Sequence, residues 1–389
     1  MDHVLGTRKL PYEVPSYSLT GDVISYARCG LQYRHSVLGR LPSTRPVQLW
    51  FGQFIHGVLE EAFRHYRETL LTNPKATVTF TDDECDQFIA TVLNRLMLQG
   101  LTSHSKDARE QGERRARIAL IDLAPLMFPL ITHAEVKLTG TRDLPTAKIR
   151  PEDQIRGVTK YEMVGVVDVI TELDPTNEEF ASNLLIDLMD EVLGLLTGPS
   201  TEVIVDYKGM RRPGLAGKKV KNGYRELYER QIQTYSYLRQ AQANGGYVVG
   251  GVLIFINELS PSWNDVADLY DEINAGHADV VPVEGSRDHD VIFNHRSLRR
   301  KFDYPNLSLE FRLRRALLLV KVDPKSVDVE VAKFDDLVAE IEASRGREIR
   351  TGDINQSWEA DDSDQTMCTA CDFRVTCPKD SAKNPGLPK

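Results

Sequence analysis

The chain has no apolar run of the ~18–20 residues that a helical membrane span needs, which excludes a helical integral membrane protein. Its opening residues, MDHVLGTRKLPYEVP, lack the apolar core of a signal peptide, so the expected compartment is the cytoplasm. Cysteine is scarce, at 5 in 389 residues. In a reducing compartment so few thiols do not make a disulfide framework, and clustered ones more often bind metal or carry out redox chemistry. Basic side chains are outnumbered, 48 Lys and Arg against 57 Asp and Glu, for a net charge of −9. That balance argues against a protein that coats nucleic acid, but not against a local basic groove. No GxxxxGK[ST] phosphate loop, internal repeat or low-complexity tract is present, so the chain carries no helicase motor of its own.

What is present reads as a soluble α/β protein, long enough for two or three domain-sized units or one large core with insertions. Residues 48–72 repeat apolar positions at helical spacing (Phe51, Phe54, Ile55, Val58, Leu59, Ala62, Phe63), and further helices are expected at 82–100 and 107–130. The character then changes. Residues 162–173, 201–209 and 246–257 are short β-branched runs bounded by Gly, Pro or Asn, which predicts buried strands, with a weaker strand at 133–140. A helix is expected between the last two strong strands at 224–243, and an acidic, Leu-rich insertion with its own helix at 174–200. Helices are also expected at 308–321 and 333–345. The expected organisation is an N-terminal helical region (1–130), an α/β core (131–260) and a C-terminal region (261–389).

Two stretches carry chemistry. Cys368, Cys371 and Cys377 lie within ten residues of one another, a spacing that points to metal. Separately, the apolar strand TEVIVDYKG ends in Asp206-Tyr207-Lys208, and strand alternation puts Asp206 and Lys208 on one face. A carboxylate and an amine so placed can share a site, one holding a divalent cation and the other a water or a developing charge. Acid-x-Lys triplets also occur at Glu135–Lys137 and Asp323–Lys325, but context favours the one at 206. It follows a strand with Gly165 and a mid-strand Asp168, and precedes a helix with Gln231 and Tyr235 four residues apart. Gly52 and His56 open the amphipathic helix upstream. An unpaired carboxylate inside an apolar strand is costly, so Asp168 is hard to explain structurally. His56 on a helix face, or an Asp206–Lys208 ion pair at a strand end, has simple structural readings. His65, His104 and Cys85 are assigned to structure or surface.

GxxxH, GxxD, D-x-K and QxxxY, in that order, resemble the RecB-type branch of the PD-(D/E)XK nuclease superfamily. The segment Ser25–Tyr33 around Cys29, with the late C-x2-C-x5-C, resembles the iron–sulfur members of that branch, which include CRISPR-adaptation nucleases and the AddB nuclease domain. The resemblance runs through anchors over most of the chain, with no continuous match. Two departures are the long gap between Asp168 and Asp206, which the insertion at 174–200 fills, and Asp in place of the commoner Glu at 206.

The resemblance implies a restriction-endonuclease-like core, a mixed central sheet flanked by helices. It further implies that Cys29 joins Cys368, Cys371 and Cys377 around a [4Fe–4S] cluster, clipping the N-terminal region to the C-terminal tail. Four thiolates by themselves also suit zinc. The implied reaction is phosphodiester hydrolysis. His56, Asp168 and Asp206 would hold Mg2+ or Mn2+, with the imidazole favouring manganese. Lys208 would act on the water or the transition state, with an effect on the order of 3 kcal/mol, and Gln231 and Tyr235 would brace the site. The glycine-rich stretch 209–225 holds six basic residues and no acid: Arg211, Arg212, Lys218, Lys219, Lys221 and Arg225. It is expected to bind phosphates, with Tyr224 and Tyr228 as base-stacking platforms.

The expected function is a DNA nuclease, an exonuclease before an endonuclease, acting on single strands or duplex ends in DNA repair or antiviral defence. A helicase or a CRISPR-adaptation integrase is the expected partner. The alternatives are a catalytically weak DNA-binding subunit of such a complex, and a structural zinc protein.

Overall fold

A computed structural model describes residues 14–41, 47–177, 182–195, 200–215, 224–298, 303 and 306–381. In chain order the main elements are β1 (Ser16–Ser18), α1 (Val47–Thr72), α2 (Asp82–Leu98), α3 (Lys106–Ile118), β2 (Ile131–Asp143) and β3 (Lys160–Leu173). They continue with α4 (Leu184–Leu193), β4 (Thr201–Lys208), α5 (Tyr224–Gln240), β5 (Val248–Phe255), α6 (Leu309–Ala316), β6 (Leu317–Lys321) and α7 (Pro324–Thr351). Among the described residues no helix is long and apolar enough to cross a membrane.

The six strands form one mixed sheet, ordered β1-β3-β4-β5-β6 with β2 on the other side of β3. The α/β architecture with a helix-flanked mixed sheet is therefore present. β1 comes from the N-terminal stretch and β6 from the C-terminal one, so all three expected regions build this single sheet. Strand β4 shows why both faces are covered. Val203, Val205 and Tyr207 enter the core that also holds Phe54 and Ile55 of α1. Ile204 enters the opposite core with Ile232 of α5 and Phe334 of α7. Burial on both faces is why these strands read as continuous apolar runs.

The expected helix at 107–130 is present, but not as a single regular α-helix. The chain stays helical from Lys106 to Leu130, changing from α to a π turn at Ala119–Leu123, a short α turn at Ala124–Met127 and a 3-10 turn at Phe128–Leu130, where Pro125 and Pro129 remove N–H donors. The expected helix at 308–321 stops at Ala316, and Leu317–Lys321 pairs antiparallel with β5. An apolar run without a period suits either state, and here the open edge of β5 takes it. The helix expected at 333–345 extends over the whole of α7, capped by Asp323 and ended by Gly352 at φ 68°.

α7 also fastens the N-terminal segment. Arg34 makes two hydrogen bonds to Glu348 (2.7 and 2.5 Å), Trp358 Nε1 donates to the same carboxylate, and Tyr17 OH donates to Glu342. Buried charges paired in this way have their hydrogen-bonding groups satisfied, and losing one partner would leave the other stranded.

Candidate active site

The site forms where two strands part. On one side β3 pairs with β2 along nearly its whole length. On the other it pairs with β1 at Glu162–Val164 and with β4 at Val169–Leu173. Residues 165–168, Gly-Val-Val-Asp, therefore span a gap between two partners. Past the last rung, Val169↔Val205, the Tyr207 N–H has no strand partner and donates to Asp168 Oδ2 at 2.8 Å. A buried N–H at a ladder end needs such an acceptor.

Asp206 and Lys208 share a face, as alternation predicts. Lys208 Nζ pairs with Asp206 Oδ2 and donates to Gln231 Oε1 at 3.0 Å, while Gln231 Nε2 donates to Asp206 Oδ1 at 3.2 Å. Gln231 thus bridges acid and base from α5. The Lys208 ammonium also stands 5.0 Å over the ring of Tyr228. From the other face of the sheet, His56 on α1 donates through Nε2 to the Tyr207 carbonyl at 2.8 Å, and its Nδ1 stands 3.5 Å from Asp168 Oδ2. The helix comes this close because Gly209 meets Gly52: a Cβ on Gly209 would lie 3.2 Å from Gly52 Cα and 2.8 Å from Phe51.

Burial chiefly, and then the Asp206 charge, pushes Asp168 up to about 7, against the smaller opposing pull of His56 and the Tyr207 N–H. A carboxyl so reluctant to ionise is eased by a cation. Tyr235 is buried, hydrogen-bonded to Gln231 and Thr20, and its hydroxyl is pushed upward by burial. Its ring lies against Gly165, where a Cβ would come within 2.6 Å of Cε1. Gly165→Ala is therefore expected to destabilise the protein by about 1–3 kcal/mol through overpacking. Urea unfolding should show this loss, and adding Tyr235→Leu should recover most of it. An unchanged midpoint for the single variant would mean the ring is free to move aside.

Glu135 was missed as a site residue in the sequence because it belonged to the less favoured triplet. It sits on β2 between the pairs Ala134↔Val169 and Val136↔Val167, which places it across from Asp168. Its φ of 52° makes it one of two non-glycine residues with positive φ among those described. Strand alternation breaks there: Val136 and Val167 pack in the α5 core and Val169 in the α1 core. Among the described residues, His56, Glu135 and Asp168 form the group whose ligand atoms lie within 4.8 Å of one another. The expected set had Asp206 in place of Glu135. Here both Asp206 oxygens are engaged, by Lys208 and by Gln231. Carboxylate oxygens with one imidazole fit a hard or borderline divalent cation.

Cys29, Cys368, Cys371 and Cys377 line a single small pocket. The Asp361 N–H points at Cys29 Sγ (3.5 Å) and Cys368 Sγ at the Asp361 carbonyl (3.6 Å). Burial, followed by the neighbouring thiols, pushes Cys368 and Cys371 upward. Four thiols around one pocket, with Cys368 and Cys371 resisting ionisation, are a donor set that a metal or cluster would relieve. Cys85 is buried on α2, away from them.

The family model described as the PD-(D/E)XK nuclease superfamily matches residues 22–181. The matched segment takes in Cys29, His56, Glu135 and Asp168, and ends before Asp206, Lys208, Gln231 and Tyr235. No curated protein matches the chain.

The basic stretch needs correction. Arg212 is 5 % exposed; it pairs with Asp279 and donates to the Arg315 and Leu317 carbonyls, so it holds the fold together and is closed to DNA. Arg225 pairs with the same Asp279, and Arg211 with Asp268 and Glu272. The acids come from 268–279, so the absence of acids within 209–225 was misleading. Lys218, Lys219 and Lys221 lie outside the described residues. Tyr228 is buried against Phe255 with its hydroxyl on Met210, which removes it as a stacking platform. Tyr224 is exposed, with Arg28 over its ring at 4.9 Å.

Proposed function

We propose that the protein is a divalent-metal-dependent nuclease of the RecB-like type that hydrolyses phosphodiester bonds in DNA. The observation that carries this reading is Asp168 in the fork between β3 and β4. This half-buried carboxylate has His56 beside it, feels the charge of a second carboxylate, Asp206, and lies near Lys208, two residues beyond Asp206. A structural ion pair accounts for Asp206 and Lys208 alone, but not for Asp168 beside them.

When bound, a divalent cation supplies Lewis acidity that polarises a phosphoryl oxygen and acidifies a water. Asp168 and His56 would hold it, with Asp206 joining as its pairing with Lys208 is exchanged for the ion. Lys208, steadied by Gln231, is placed to orient the attacking water and offset the charge growing on the phosphate. Tyr235 braces Gln231 from behind. The preference for single-stranded DNA ends, the exonuclease mode, the role in repair or phage defence and the helicase or integrase partner are carried over from the resemblance. So is a [4Fe–4S] cluster on the four cysteines, which their convergence on one pocket supports.

The test is cleavage of 5′- and 3′-labelled single strands and of circular single strands by anaerobically purified protein in Mn2+. Lys208→Ala is expected to lose about 10²–10³-fold in rate. The labels report polarity, and the circle reports endonuclease action. A wild type that binds DNA but cuts none of these substrates would overturn the enzymatic reading.

A further inference from the structure

We propose that Arg28 and Tyr224 form a clamp for a nucleotide of a single-stranded DNA substrate, the ring stacking a base and the guanidinium holding a phosphate. The inference rests on the nuclease reading and deepens it with a strand-binding subsite beside the centre. The two residues are far apart in the chain. Arg28 ends the helical turn Ile24–Arg28, and Tyr224 opens α5. They meet because Ile24 of that turn is buried in the same core as Leu227 and Tyr228 of α5.

The first observation is a row of side chains leading out of the centre. The Lys208 ammonium stands 5.0 Å from the centroid of the Tyr228 ring, and the Tyr228 and Tyr224 rings are 6.4 Å apart. The Arg28 guanidinium then lies 4.9 Å over the Tyr224 ring. A cation stands at each end of the row, with two rings between. Tyr228 is 7 % exposed and Tyr224 40 %, so the row runs from the interior to the surface. A strand whose scissile phosphate lies at Lys208 would bring a neighbouring nucleotide to Arg28 and Tyr224.

The second observation is charge. Arg211, Arg212 and Arg225 are neutralised by acids from 268–279, whereas Arg28 has no carboxylate partner among the described residues. Its charge also reaches inward: burial pushes the Tyr228 hydroxyl upward, and Arg28 pulls against it. A guanidinium resting on an exposed ring is held weakly, and a phosphate offers it paired charge-assisted hydrogen bonds instead. Moving to the phosphate bares the face of Tyr224, which can then stack any base. Bases inside a duplex are already stacked on one another, so the clamp selects single strands.

Binding of fluorescein-labelled oligothymidylate to metal-free protein is read by anisotropy over a salt series, with a blunt duplex and unfolding midpoints alongside. Arg28→Ala should weaken single-strand binding and flatten the salt slope by about 0.7, the share of one phosphate. Arg28→Lys should restore that slope. Tyr224→Ala should weaken single-strand binding by about tenfold or more at an unchanged slope, and Tyr224→Phe should bind like wild type. Duplex affinity should change less than about twofold in Tyr224→Ala. Wild-type single-strand affinity in Tyr224→Ala, or an unchanged slope in Arg28→Ala, would overturn the clamp and leave the nuclease reading standing. An equal loss on duplex would also overturn it, because the ring would then support the fold and not a base. A wild type that binds neither DNA would instead remove DNA as the substrate, and the clamp would fall with that reading.

Discussion

Asp168→Asn should abolish cation binding and lower the cleavage rate by about 10³-fold or more, yet leave the metal-free protein more stable than wild type above pH 7. Asparagine keeps an acceptor for the Tyr207 N–H and removes only the charge. The sign comes from the carboxyl itself. Its ordinary value is 3.8 and burial beside Asp206 lifts it to about 7. Between these values the unfolded chain has released its proton and the native protein has not. Wild-type stability therefore falls as pH rises through that window and levels off above it. The variant lacks this slope, so the two should be close near pH 4 and separate by on the order of a few kcal/mol at pH 8. Mn2+ narrows the difference, since ligand at ~100 times its Kd adds about 2.7 kcal/mol to a protein that binds it and nothing to one that does not. Urea unfolding at both pH values, with and without Mn2+, reads all four states. Equal stabilisation of variant and wild type by Mn2+ would remove Asp168 from the cation site.

Cys29→Ser should bleach the brown absorbance near ~400 nm expected of a cluster and free the tail beyond Asp361, while the body of the fold unfolds at nearly its former midpoint. The tail carries three of the thiols but, among the described residues, nothing after Ala360 is buried. It has little apolar surface to hold it in place, so a staple is its main anchor. The N-terminal segment is differently placed. Arg34 and Tyr17 are fixed to α7 without the cysteines, and the Leu31 N–H donates to the Glu359 carbonyl at 2.9 Å. Trypsin should therefore cut at Arg374 and Lys379 about tenfold faster or more in the variant. The global midpoint should drop by less than about 5 °C, because the long loop is already closed elsewhere. A colourless wild type with bound zinc would replace the cluster by a single ion. A global collapse would mean that the thiols, not α7, hold the two ends together.

Much of the fold could be read in advance because period and burial agree. β4 and β5 are buried on both faces and β3 on one face along its length, and their β-branched runs show it without help from the rest of the chain. α1 declared itself by its apolar stripe. β6 did not: Leu317–Lys321 is a run of leucine and valine whose state depends on the free edge of β5. β1 is only Ser16–Ser18, three residues with no pattern of their own, aligned by Glu162–Val164.

The site divides in the same way. Asp206 and Lys208 lie two apart on one strand, and Gln231 and Tyr235 one turn apart on one helix, so local periodicity alone puts each pair on a common face. The spacing of Cys368, Cys371 and Cys377 speaks for itself in the same sense. Joining such pairs into one site requires contacts between residues distant in the chain, which periodicity does not encode. That is how Arg212 passed for a phosphate ligand until Asp279, 67 residues away, was found beside it. It is also how Glu135, on a strand with an ordinary acid-x-Lys triplet, came to face Asp168 only when β2 paired with β3 and its backbone turned to φ 52°. The sequence by itself determined which side chains share a face within an element. The tertiary structure alone decided which elements meet and which charges find a partner, because burial and pairing are properties of the assembled sheet.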